Sequence, residues 1–196
     1  MNVLILCNVL LPEISKKISK PVSLGGGWLS GTIDGLLSRK PAMRLCVCCP
    51  VFDYNGPKSG KTLDYSFYLF NRNVNQVENF KSIIEDVKPD IIHIFGTEYK
   101  HSFDMLCAAD ELGLIDNCIV SIQGLVSKYM SHYFASLPSK AVNHWTFKEL
   151  IKRKNIYSDY EDMKKRSVIE VKTLRKARNI IGRTNWDKAS VSQINS

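Results

Sequence analysis

Three consecutive glycines, Gly25-Gly26-Gly27, stand directly ahead of Trp28, where helix-spaced apolar residues begin. Glycine lets the backbone turn sharply and lets a ligand approach, because no Cβ intervenes. A helix opening there aims unpaired N–H groups and a positive dipole end outward, which suits a phosphate or another oxygen-rich group. A tight turn without a ligand would use the same residues. Trp28 has a face on which a sugar ring could stack, and packing beneath the loop is the competing role. Farther along, Glu98 and His101 follow an apolar run ending at Gly96, Gln123 precedes Gly124, and Arg183 follows Gly182. Glu98 and His101 carry groups able to orient substrate hydroxyls, with helix capping as the alternative for Glu98, while Gln123 and Arg183 stand on loops of the same kind. His93 lies inside an apolar run and is expected to be a hydrogen-bonded core residue.

Several other chemistries are excluded by spacing. Asn55-Gly56-Pro57-Lys58-Ser59-Gly60-Lys61-Thr62 looks like a phosphate-binding P-loop, but asparagine occupies the first glycine position and an extended stretch follows instead of a helix. The triple glycine comes too late after the first strand to be a dinucleotide fingerprint, and the second strand ends in Cys48-Cys49-Pro50 rather than in an acid. Cys46, Cys48 and Cys49 lack a second ligand pair at zinc spacing, so no metal site is expected. No Ser–His–Asp or Cys–His arrangement and no pair of carboxylates can be assigned by spacing. Catalytic residues are therefore left open.

The elements that must position these residues alternate between strand and helix. The short apolar run Val3–Cys7 reads as a buried parallel strand. Residues 28–39 read as a helix, 43–49 as a strand ended by Pro50, 53–63 as a loop and 65–70 as an extended segment. A helical stripe over 74–87 leads through Pro89 to the strand 91–95. A helix over 102–112 and a strand over 118–122 follow. Residues 145–177 read as helix in two pieces, 179–183 as a strand, and 185 onward as a helix start. This order predicts an α/β, Rossmann-like parallel sheet with helices on both faces. All the glycine-bearing and polar loops then fall at the carboxyl edge of the strands, where such sheets bind ligands.

Composition adds bounds. With 44% hydrophobic and 23% charged residues, the 196-residue chain has enough apolar content for a core. It has neither a membrane-length apolar run nor a leader pattern, so a soluble, cytoplasmic protein is expected. The six cysteines fit reduced, buried thiols. Much of the net charge of +8 follows residue 138, interrupted by Glu149, Asp159, Glu161, Asp162 and Glu170, as on a solvated helix face. Nucleic acid is not an expected partner, since the basic helices lack interleaved aromatics and any reader motif.

Asn2-Val3-Leu4-Ile5-Leu6, the glycine loop, Lys88-Pro89-Asp90-Ile91-Ile92-His93-Ile94-Phe95-Gly96, Val120-Ser121-Ile122-Gln123-Gly124 and Ala177-Arg178-Asn179-Ile180-Ile181-Gly182-Arg183-Thr184 occur in that order. Together they resemble the N-terminal half of a family 4 glycosyltransferase of the GT-B fold. The resemblance implies that residues 1–184 form an acceptor-side domain and that 185–196 begin an interdomain segment. The C-terminal, donor-binding domain would lie outside the chain. It further implies a retaining, metal-independent transfer, without a cofactor, from a nucleotide-sugar to a glycan or lipid-linked acceptor. Gly25, Gly26 and Gly27 would flank the donor diphosphate, while Trp28, Glu98, His101, Gln123 and Arg183 would meet acceptor or sugar. Peripheral contact of the basic helices with the inner face of a membrane is a further implication. Two departures stand out. Gln123 replaces a histidine common in the family, which leaves a binding role but removes proton exchange. The basic pair and paired glutamates of the second domain are missing, so these 196 residues alone are expected to be inactive. The alternative is a stand-alone Rossmann-like module that binds a nucleotide or phosphorylated ligand without chemistry.

Overall fold

The computed structural model describes residues 1–22, 26–40, 42–142, 144–152 and 154–195. A seven-stranded sheet runs β3-β4-β2-β1-β5-β6-β7, parallel throughout except for β3. The strands are β1 (Asn2–Leu6), β2 (Arg44–Val51), β3 (Ser59–Lys61), β4 (Ser66–Asn71), β5 (Ile91–Phe95), β6 (Cys118–Ser121) and β7 (Asn179–Ile181). Without the short edge strand, the order is that of a doubly wound Rossmann sheet, with its switch point between β1 and β5.

Alternation along the buried strands divides the core. Leu4, Leu6, Cys46, Cys48, Ile92, Ile94, Cys118 and Val120 face one side, under α3 (Val77–Val87) and α4 (Lys100–Glu111). Val3, Ile5, Cys7, Leu45, Val47 and Cys49 face the other, under α1 (Pro12–Lys17) and α2 (Gly27–Arg39). Period-two side chains on strands buried on both faces require apolar residues at every position, hence the near-continuous runs. All six cysteines are free, and only Cys107 is not fully buried.

After β6 the chain forms α5 (Val126–Met130), α6 (Ser139–Val142), α7 (Phe147–Lys152) and the long α8 (Ile156–Lys176) before β7 and α9 (Asn185–Ser192). α8 starts with a reciprocal capping box between Asn155 and Ser158, which accounts for the break expected in the 145–177 stretch. Leu174 of α8 packs with Ile122 and Leu125, and Val191 and Ile194 at the end of the chain lie against them.

Some boundaries differ from expectation. Pro50 lies inside β2 rather than ending it, paired with Phe70 of β4. The β1 partner has already left at Leu6–Cys48, so the missing N–H interrupts no ladder there. The P-loop-like segment expected to be pure loop contains β3, an antiparallel edge strand against β4. α4 begins at Lys100, earlier than the apolar spacing suggests, and thereby takes in His101. The short helices α1, α5 and α6 lack the length for a periodic signal.

Candidate functional site

The carboxyl edge of the sheet gathers most of the expected residues. α2 opens at Gly26, whose φ of 145° lies where side-chain-bearing residues rarely go, and a Cβ there would come 3.0 Å from Val9 Cγ2. Gly27 is the first helical residue and has open space beside it. Gly25 lies outside the described residues. The N-terminus of α2 has no side-chain cap and no acid in its first turn; Leu29 and Ser30 N–H both turn back to the Gly26 carbonyl. α8 and α9, by contrast, are closed by capping boxes.

Trp28 is 52% exposed and meets Phe95 at the end of β5 edge to face, with centroids 5.6 Å apart. The two rings join Ser121, Ile122, Gln123, Ile181 and Arg183 in lining a cleft of about 320 Å³. The Arg183 guanidinium donates to the Gln123 carbonyl oxygen at 2.8 Å, tying the ends of β6 and β7 together. Three of the expected contact residues, Trp28, Gln123 and Arg183, thus share one cleft beside the uncapped helix. His93 supports it from below. Its ring stacks on Phe95 at 4.1 Å and shares a 2.7 Å hydrogen bond with Ser121 Oγ, and burial lowers its pKa to about 4. That is the structural role expected from its apolar run.

Glu98 and His101 sit differently. Glu98 accepts the Thr97 N–H at 3.1 Å and shapes its own loop; the N-cap of α4 is Tyr99, without a side-chain cap. His101 was expected on an open loop. Instead it is buried in the first turn of α4, because Phe70 and Tyr99 give its ring an apolar berth. Asn8 Oδ1 accepts from His101 Nε2 at 3.0 Å, which leaves Nδ1 as a buried acceptor without a partner. Burial first, and the Arg72 charge second, lower its pKa to about 3, so the ring is neutral. It braces Asn8 at the switch point, where Asn8 lies against Gly96 so closely that a Cβ on Gly96 would reach 2.0 Å from Asn8 Nδ2.

Asn8, Arg72 and Glu170 were missed by reading the sequence. Glu170 is fully buried on α8 and binds three donors: Thr97 Oγ1 at 3.1 Å, Val126 N at 3.0 Å and Ser127 N at 2.7 Å. It fixes the loops after β5 and β6 against each other. A signal existed, since Glu170 occupies a core position in the helical stripe Ser167–Glu170–Leu174. The Arg183-Thr184-Asn185 loop is largely a cap: Asp187 takes the N–H groups of Arg183 and Thr184, which hold its carboxyl below the usual carboxylate range. Among the described residues, no three of His, Cys, Asp and Glu gather as metal ligands.

No protein-family model and no curated protein matches the chain in sequence. Among solved structures, it is similar to sucrose-phosphate synthase from Thermosynechococcus elongatus, with a TM-score of 0.53 and 13% identity, over 100% of this chain and 45% of that one. A slighter likeness, at TM-score 0.40 and 13% identity over 98% of this chain and 46% of the other, is to Glycyrrhiza uralensis UGT73P12 complexed with glycyrrhetinic acid 3-O-monoglucuronide, and nothing rests on it. The chain spans less than half the length of either. At such identity the likeness is one of fold, and the fold is the Rossmann-like half of a GT-B architecture, as the ordered motifs led us to expect.

Proposed function

We propose that residues 1–184 are the acceptor-side domain, and 185–196 the start of an interdomain segment, of a retaining, metal-independent glycosyltransferase that uses a nucleotide-sugar donor and a glycan or lipid-linked acceptor. The observation that carries this reading is the cleft in which Trp28, Gln123 and Arg183 meet beside the uncapped start of α2. A half-exposed indole over a phenyl edge offers an apolar platform to a sugar face, while the amide and guanidinium offer hydrogen bonds to hydroxyls. The free helix end is suited to the negative charge of a diphosphate leaving group, with no metal required for that contact. In this reading the donor is held mainly by a second domain, so these residues alone bind acceptor but do not turn over.

The test is titration of residues 1–196 with simple glycosides and with UDP-glucose, followed by NMR. Glycosides are expected to shift the Trp28 indole N–H, and Trp28→Ala to weaken binding about tenfold, the loss of one stacking contact of 0.5–1.5 kcal/mol plus buried area. Tight binding of UDP-glucose by these residues alone, indifferent to Trp28, would replace this reading with the stand-alone binding module.

Peripheral membrane contact is part of the proposal. On α7, Phe147, Leu150 and Ile151 recur at helical spacing yet are 80%, 59% and 68% exposed, and Trp145 precedes them. An apolar face turned outward, in a region rich in lysine, suits the interface of an anionic bilayer. Vesicles containing phosphatidylglycerol are expected to bind the chain less well as salt rises, and less well again after Phe147→Ser. Binding unmoved by both changes would remove the membrane from the reading.

A further inference from the structure

A second cleft opens on the other side of the glycine turn. Asn8, Leu10, Lys20, Val51, Phe52 and Arg72 line about 340 Å³ at the carboxyl ends of β1, β2 and β4. Its lining holds two cations and no carboxylate. Several other basic residues pair with acids: Lys100 with Asp104, Lys154 with Asp159, Lys176 with Asp110 and Arg178 with Asp116, whereas Lys128 and Arg183 donate to neutral oxygens. The two cations here are likewise held by neutral oxygens. Lys20 Nζ donates to the Asp53 carbonyl at 2.9 Å, and the Arg72 guanidinium donates to the Asn8 carbonyl.

Arg72 is the centre of the cleft. Its guanidinium lies 4.5 Å from the Tyr99 ring centroid and 5.4 Å from that of Phe52, so two aromatic faces fix its plane. Burial is the main cause lowering its pKa, and its Nε is buried without a hydrogen-bond partner. Glu98, the acid that acts on it, already takes the Thr97 N–H. Arg166 of α8 approaches the Tyr99 ring at 5.9 Å and adds positive charge near the rim. A half-buried, oriented guanidinium with no carboxylate in ion-pair contact costs stability unless an anion completes it. A planar fork beside an ammonium suits a phosphoryl group, and the volume suits a small phosphorylated molecule or headgroup.

We infer that this cleft is a phosphoryl-binding site, centred on Arg72 and assisted by Lys20, and that the acceptor is therefore a phosphorylated molecule. Only the word acceptor rests on the glycosyltransferase reading; the anion site rests on the cleft itself. Val9 and Asn8 connect it to the turn at Gly26. A phosphoryl group at Arg72 thus leaves the rest of its bearer at the turn where the donor is expected.

The experiment is titration of residues 1–196 with inorganic phosphate, glucose 6-phosphate and glucose, read at the arginine Nε–H resonances. Glucose 6-phosphate is expected to saturate and to shift Arg72 Nε–H, with inorganic phosphate acting at the same resonance. Arg72→Met should weaken binding by about 10- to 100-fold, the span of a charge-assisted hydrogen bond worth 1.5–3 kcal/mol. Lys20→Met should weaken it less. Lys61→Met, at an exposed position of β3 that lines neither cleft, should leave it unchanged. Competition by soluble glycerol phosphate marks a free phosphate ligand, and competition only by phosphatidylglycerol vesicles marks a lipid headgroup; both outcomes support the site. No saturable shift at Arg72 Nε–H, or wild-type affinity in Arg72→Met, overturns it. Should Arg72→Met fail to fold, the wild-type resonance and Lys20→Met decide. Phosphate bound at Arg72 with no glycoside at Trp28 would sink the transferase reading alone, and the reverse result would sink this inference alone.

Discussion

Gly26 and Gly27 are neighbours of one type with different physical burdens. Gly26 combines a positive φ with a close approach to Val9, whereas Gly27 begins the helix in open space. Gly26→Ala is therefore expected to destabilise the protein by about 1–3 kcal/mol, while Gly27→Ala stays within about 0.5 kcal/mol of wild type or gains from helix propensity. Urea unfolding of the two variants is the check, and equal midpoints would show that the turn does not need its glycine. Trp28 and His101 make a similar contrast. Each was a plausible polar or aromatic contact by type and position. The edge of Phe95 leaves Trp28 half exposed, and the pairing with Asn8 beneath Tyr99 withdraws His101 from the surface.

At the level of elements, α8 is long, net basic and outwardly solvated, yet its buried stripe carries Glu170 among Ser167, Thr173 and Leu174. The carboxylate replaces backbone partners that the loops after β5 and β6 cannot supply to themselves. Glu170→Gln keeps the shape but sets an amide against the N–H of Val126 or Ser127, with an expected cost of about 1–3 kcal/mol. Glu170→Ala strands all three donors and should cost about 3–5 kcal/mol. Thermal and urea melts measure both, and hydrogen exchange at Val126 and Ser127 should rise before the rest of the sheet. Unchanged exchange at those amides would mean that the loops hold their register without Glu170. Capping boxes at α8 and α9 could be read from Asn155-x-x-Ser158 and Thr184-x-x-Asp187, because caps are local in sequence.

For the molecule as a whole, two histidines make stability depend on pH. His93 and His101 have pKa values lowered by burial to about 4 and about 3, against 6.5 for the free side chain. Between those limits the unfolded chain binds more protons than the folded one, so stability is intact above pH 6.5 and falls as pH drops toward 4. Each histidine contributes a slope of at most about 1.4 kcal/mol per pH unit. His93→Gln and His101→Gln should each flatten the urea-midpoint profile between pH 6.5 and 4.5, and a profile as steep as wild type in both would refute buried, neutral rings. The sheet itself was legible in the sequence, since strands buried on both faces need unbroken apolar runs and helices between them need a 3.6-residue stripe. Those local periodicities, with glycines and prolines as punctuation, determined the α/β class and placed the polar loops at the carboxyl edge. The short helices α5 and α6, the outward apolar face of α7 and the burial of His101 were not legible, because they depend on what lies across the fold. Only the tertiary structure brought Trp28 to Gln123 and Arg183, and Arg72 to Asn8 and Tyr99. These partners are far apart in the chain, and they meet because the strand order reverses at β1 and β5, a choice made by long-range packing rather than by any local pattern.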